Sequence, residues 1–246
     1  MYIIESNYDI NKHYKYGCVI AVYNRLEYFT KSIESIKNSI IPEDMIFIII
    51  DDNSLDSTYL KNLEFNFNNI KIFKDKNLGV DNSIHIGWDL LFGLNVNYLF
   101  NLDSDTIVKK NWLFKLIELM DNQIFKNVVV TGFHTKVGGK HYMIKEYENF
   151  YEKYTFGGVN TGFKRMYYPL IRKAFTKNKH FYNLKNLDIN ITDKDFLPWD
   201  SKFMNICLTN KLYRLCTKPS VVNHIGKIGI TSCPEKYDFA LDWDNN

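Results

Sequence analysis

The chain has 246 residues, which at roughly 150 residues per domain makes one large domain or one and a half. Hydrophobic residues are 46% of it and charged residues 24%, enough to bury a core, which excludes a disordered, collagen-like or coiled-coil chain. The net charge of +3, with Lys and Asp/Glu intermixed, lacks the concentrated basic face of a nucleic-acid binder.

The N-terminus has no basic segment followed by an apolar one, as a secretion signal would. Residues 17–23 (GCVIAVY) then read as a buried strand, and 26–37 as a helix with Leu26, Phe29, Ile33 and Ile36 on one face. Residues 44–50 (DMIFIII) are an apolar, β-branched strand. No apolar run in the chain is longer than their apolar part, 45–50, which is far short of the roughly 20 residues of a membrane span. A soluble, cytoplasmic protein without a membrane span is expected. A short helix over 56–65, a third strand at 69–74 and a helix at 80–93 follow, the last with Val80, Ile84, Trp88 and Leu91 in register. A fourth strand covers 96–102 and an amphipathic helix 110–121, through Trp112, Leu113, Leu116, Ile117 and Met120. Four β-then-α units with continuously apolar strands predict an α/β fold, with a mostly parallel sheet covered on both faces.

The second half is less regular. It suggests a hairpin turning at Gly138-Gly139, a glycine loop at Gly157-Gly158, helices over 163–178 and 198–209, and a last strand over 219–225. No separable second domain is visible. Cys18, Cys207, Cys216 and Cys233 form no CxxC pair, so free thiols are expected rather than a disulfide framework or a zinc site.

In open α/β sheets ligands bind beyond the carboxyl ends of the strands. The residues just past the four strands are Tyr23-Asn24-Arg25, Asp51-Asp52-Asn53-Ser54 with Asp56, Asn77-Leu78-Gly79, and Asp103-Ser104-Asp105. Each also has a plain structural role open to it. Asn24, Asn53, Ser54, Asp56 and Asp105 are all suited to cap the helix that follows, and Asn77-Leu78-Gly79 to form a turn. Two carboxylates one residue apart repel and lose hydration unless a cation sits with them, and a hard divalent cation held by few carboxylates has room for phosphate oxygens. GxGxxG and GxxxxGK[ST] are absent, which counts against dinucleotide oxidoreductases and P-loop NTPases.

The segments VIAVYNRLEYFTKSI, FIIIDDNSLDST, DKNLGVDNSI and NLDSDTIVKKNWL, in this order and spacing, resemble the family-two glycosyltransferases of the GT-A fold. The match covers residues 17–121 and continues more loosely to about 230. It implies a single GT-A domain over 1–246: a nucleotide-sugar half at 17–121, an acceptor-side half at 122–230 and a tail at 231–246. The implied donor is a nucleoside-diphosphate sugar, expected to be a UDP-sugar, and the acceptor a glycan or other hydroxyl compound. Ala21, Tyr23, Arg25, Asp52, Asn77, Gly79, Asp103 and Ser104 fall in the donor-binding set, with Asp52 matching the acid that contacts the base. Asp105 matches the metal-bound carboxylate. His224, in the PSVVNHIG segment, resembles the His that completes the metal shell, for Mn2+ with Mg2+ as the alternative. Asp200, in Pro198-Trp199-Asp200 at the start of a helix, matches the catalytic base, with Asp193 and Asp195 as alternatives. Gly157 and Gly158 match a loop near the acceptor, and Trp199 is a candidate to stack on the acceptor sugar or to belong to the core.

A base on the face opposite the leaving group implies inversion at the anomeric carbon. Two other functions compete. One is a GT-A domain that binds nucleotide sugar or glycan without turnover. The other is a sugar-1-phosphate nucleotidyltransferase, disfavoured because AVYNRLEY replaces the glycine-rich basic loop it needs after the first strand.

Overall fold

A computed structural model of the chain describes residues 2–9, 11–135, 141–175, 198–227 and 238–243. It opens with β1 (Tyr2–Asn7), a strand the sequence reading did not single out. The expected units follow: β2 (Tyr16–Val22), α1 (Leu26–Lys37), β3 (Met45–Asp51), α2 (Thr58–Asn62), β4 (Asn68–Lys74), α3 (Val80–Gly93) and β5 (Tyr98–Asp103). β4, β3, β2 and β5 lie side by side and parallel, and β1 pairs antiparallel with β4 at the edge.

Every residue of β3 is buried, because helices cover both faces of the sheet. Met45, Phe47 and Ile49 pack into one layer with Phe29, Ile33 and Ile36 of α1. Ile46, Ile48 and Ile50 pack into the other, with Ile84, Trp88 and Leu91 of α3. A strand's alternation thus serves two cores at once, each buried aliphatic side chain contributing about 1.5–3 kcal/mol.

After β5 come β6 (Thr106–Val108), α4 (Trp112–Met120) and β7 (Val128–Thr131). Next are β8 (Met143–Glu146), β9 (Phe150–Lys153) and β10 (Asn160–Lys164), then α5 (Tyr168–Ile171), α6 (Trp199–Thr209), β11 (Tyr213–Thr217) and β12 (Val222–His224). β10 inserts antiparallel against β5 and carries the sheet onward in the order β10, β7, β11, β9, β8. β6 and β12 form a separate antiparallel pair.

One expectation changes here. The helix expected from 163 begins as the end of β10, because Phe163 is drawn into the core beside Trp88 while β10 pairs with β5 and β7. Only then come a 3-10 turn at Arg165–Tyr167, the short α5, started by Pro169, and a 3-10 turn at Arg172–Ala174. The hairpin turn expected at Gly138-Gly139 lies outside the described residues; the hairpin that is described, β8 to β9, turns where the Tyr147 N–H donates to the Phe150 carbonyl. Cys18, Cys207 and Cys216 are free and buried, as expected, and Cys233 lies outside the described residues. Among the described residues no helix is long and apolar enough to cross a membrane.

Candidate functional site

The loops after β2 and β3 are stitched together. The Asn24 N–H donates to Ser54 Oγ at 2.7 Å, and the Leu55 N–H donates to Asn24 Oδ1 at 2.9 Å. Ser54 in turn donates from its hydroxyl and its backbone N–H to the buried Asp51. Asn24 is therefore committed to the neighbouring loop and does not cap α1. Asn24, Arg25 and Asn53 all adopt positive φ (55°, 60° and 63°), a conformation that costs an ordinary side chain and concentrates at sites where the surroundings enforce it. Ala21 stands beside Asp103 in the β2–β5 register, and Tyr23 is half-buried at the mouth of the same strands.

Asp52 is buried and engaged with the next loop. It forms an ion pair with Lys74, whose ammonium is out of contact with water, and accepts the N–H groups of Leu78 at 3.0 Å and Gly79 at 2.7 Å. Burial draws the Lys74 amine below its usual range despite the carboxylate. Asn77 Oδ1 takes a share of the same Gly79 N–H at 3.0 Å. Gly79 sits at φ 87°, a value only glycine adopts cheaply, so the turn brings two backbone N–H groups onto one carboxylate.

Asp103-Ser104-Asp105 forms the turn between β5 and β6, closed by the Thr106 hydroxyl on the Asp103 carbonyl. β12 runs back along β6 with His224 opposite Thr106, and this brings His224 Nε2 to 3.2 Å from Asp105 Oδ2. The Arg25 guanidinium pairs with the same oxygen. His224 Nδ1 lies 3.1 Å from the carbonyl of Asp238. A carbonyl only accepts, so Nδ1 carries a proton, and Nε2 meets the carboxylate either as a second N–H or as a lone pair. Two acceptors facing each other are reconciled by a proton or by a cation. Burial works against charge on Asp105, but His224 and Arg25 outweigh it and hold its carboxyl below the usual range. Burial and the charge of Asp105 push Asp103 well above it. Gly226 passes so close over Asp105 that a Cβ there would collide with the carboxylate.

These residues could offer one carboxylate oxygen and one imidazole nitrogen to a divalent cation, a donor set compatible with Mn2+ if phosphate oxygens filled further positions. Among the described residues no group of three or more His, Cys, Asp or Glu is arranged to hold a metal by itself.

Asp200 stands in the first turn of α6. Its carboxylate takes the Ser201 N–H at 2.7 Å and the Gly158 N–H at 3.3 Å. A Cβ on Gly158 would lie 2.7 Å from the Trp199 ring, so the glycine is what allows this loop to close on α6. Trp199 itself is 4% exposed, its ring packed edge-on to Trp88 at 5.3 Å and beside Phe175 and Phe203. Of the two roles open to it in the sequence, this is the core one: the ring leaves no free face for a sugar and anchors Asp200 instead. Asp193 and Asp195 lie outside the described residues.

The model for Glycosyl transferase family 2 matches residues 18–191. The chain belongs to this family. S. aureus TarS 1-349 in complex with UDP-GlcNAc aligns with a TM-score of 0.50 and 18% identity, over 63% of this chain and 46% of that one. A mannosyltransferase from Pyrobaculum calidifontis, in complex with GDP-Man and Mn2+, aligns with a TM-score of 0.46 and 11% identity, over 65% and 47%. The chain thus spans about half the length of these structures, and the likeness to TarS shows the GT-A fold. No curated protein matches.

For this family-2 chain, the sequence reading missed four groups that shape the site. Lys74 reads as a solvated lysine ending a strand. Asp81, in the first turn of α3, faces the start of α6 at Trp199 and Asp200. Asp238, assigned to a tail, orients His224. His141 carries no motif. Only Lys74 left a signal: it ends an otherwise buried strand, directly before the loop it supports.

Proposed function

We propose that this chain transfers a glycosyl group from a nucleoside-diphosphate sugar to a hydroxyl acceptor, with inversion at the anomeric carbon. The observation that carries the reading is the Asp105–His224 pair at 3.2 Å, at the carboxyl ends of the parallel strands, beside Asp103 and on the same edge as Asp200. Asp105 and His224 would hold a divalent cation. That cation would offset the negative charge growing on the departing diphosphate. Arg25, at the same carboxylate, is a second positive group for the phosphates.

Asp52 keeps room for one more donor. A carboxylate offers about four lone-pair sites, and Lys74, Leu78 and Gly79 take three. The ring N–H of a uracil suits the fourth, which favours UDP donors; TarS, of like fold, is known with UDP-GlcNAc. Asp200 accepts the proton of the attacking hydroxyl, on the side away from the diphosphate.

Binding of UDP-, GDP- and dTDP-sugars, measured by calorimetry with and without Mn2+, tests this. A UDP-sugar should bind best, and chelation should remove turnover. Full turnover after exhaustive chelation would contradict it.

A further inference from the structure

His141 lies just before β8, across the hairpin from Thr155. The Tyr154 N–H donates to the Tyr142 carbonyl, and Met143 pairs with Lys153. Alternation along the two strands therefore puts Tyr142 and Tyr154 on one face, and His141, Thr155 and the buried Lys153 on the other. The Tyr pair stacks at 4.9 Å away from the site. The His141 face looks toward α6: a Cβ on Gly157 would lie 3.7 Å from His141 Nε2 and 3.9 Å from Asp200 Oδ2. The imidazole and the carboxylate thus flank one glycine, and all three residues are only partly buried. The ring is fixed from behind, with Nδ1 at 3.0 Å from Thr155 Oγ1. The charged groups around it are Lys153, Asp200 and Asp238, and burial draws its basicity down, so it works as a neutral hydrogen-bonding group near pH 7.

We infer that His141 and Asp200 together form the acceptor subsite, and that it takes an acceptor with two adjacent hydroxyls, a sugar or polyol. This rests on the glycosyl-transfer reading and names its acceptor class. Asp200 takes the proton of the attacking hydroxyl as its oxygen bonds to the anomeric carbon, while the bond to the diphosphate breaks and its electron pair leaves with the nucleotide. His141 Nε2 holds the neighbouring hydroxyl and fixes which oxygen attacks. Gly157 keeps the space between the two groups open.

The test uses methyl glycosides of common hexoses, each beside its analogue lacking one hydroxyl next to the attacking one, with UDP-, GDP- and dTDP-sugars as donors. The wild type should prefer the intact glycoside by about 5- to 100-fold in kcat/KM, the range for one hydrogen-bond partner removed. His141→Phe should lose that preference through a raised acceptor KM, and His141→Gln, which keeps a polar group at the Nε2 position, should restore part of it. Gly157→Ala is sterically tolerated and should raise the acceptor KM by filling the space; it serves if His141→Phe fails to fold. A preference kept in His141→Phe, or an unchanged acceptor KM in Gly157→Ala, overturns the inference and leaves the glycosyl-transfer reading standing. A wild type that uses no glycoside overturns the acceptor class. A wild type that binds no nucleotide sugar overturns the reading itself.

Discussion

Lys74 shows how much of the site rests on a residue with no motif. Its buried ammonium meets Asp52, and Asp52 holds the two N–H groups of the Leu78-Gly79 turn. Lys74 also reaches Ser83 in the first turn of α3, at 3.2 Å. One charge pair thus ties the end of β3, the loop after β4 and the start of a helix. Removing one partner strands the other charge in a buried place. Lys74→Met should therefore lower the unfolding free energy by about 3–5 kcal/mol in urea titration, far beyond the 0–1 kcal/mol of an exposed pair. A loss of under 1 kcal/mol would mean the pair does not hold the loop. Asp105 is a second residue on which the site rests, and this one lies in a motif. Gly226 lets the chain lie over its carboxylate, and the Asp238 carbonyl turns His224 toward it. The sequence displays Asp105, His224 and Gly226 as short motifs. It cannot display Asp238, whose part is played by a backbone oxygen that any residue carries.

Among the elements, α3 and α5 are locked by a polar clamp away from the proposed chemistry. Asp89 of α3 receives the Tyr168 hydroxyl at 2.6 Å and Arg172 Nε and Nη2 at 2.8 and 3.1 Å. His85, one turn earlier, lies 3.4 Å from Asp89 and stacks on Phe175. Burial, with Arg172 adding to it and Asp89 opposing, pulls the His85 imidazole down to about 4. An unfolded histidine titrates near 6.5, so between those values the unfolded chain binds the extra proton. Stability should fall as pH drops from about 6.5 to about 4, by up to about 3 kcal/mol from this group. Urea midpoints at pH 7 and pH 5 should differ more in the wild type than in His85→Gln, and equal differences would rule the group out. β2 to β5 and the helices that follow them were legible because the strands carry apolar runs and the helices keep their period, whereas the edge strand β1 and the three-residue β6 were not. Nor were β7, β10 and β11. They are four or five residues long, and their place comes from distant partners. The Asn160 amide, for example, donates to the Asn101 carbonyl, and the Asn101 amide to the Gly158 carbonyl.

At the scale of the molecule, the parallel half presents loops at the carboxyl ends of its strands, and the mixed half, with β7 and β11 parallel and its other pairs antiparallel, folds back to meet them. β10 joins the halves through β5, and the segment 238–243 returns to the same edge, where the Leu241 N–H donates to the His134 carbonyl and the Ala240 N–H to Asn223. The proposed donor side is thus marked in the sequence by motifs at strand ends. The proposed acceptor side is marked only by Asp200 and the glycine loop, since His141 takes its place from a hairpin register. The central claim is a single displacement with Asp200 as the base. It is tested most directly by single-turnover transfer from a UDP-sugar, with the product anomer assigned by NMR, in the wild type and in Asp200→Asn. The product should have the configuration opposite to the donor, and Asp200→Asn should be slower by about 10²–10⁴-fold, the usual share of general-base catalysis. A retained configuration, or near-normal turnover in Asp200→Asn, would contradict it.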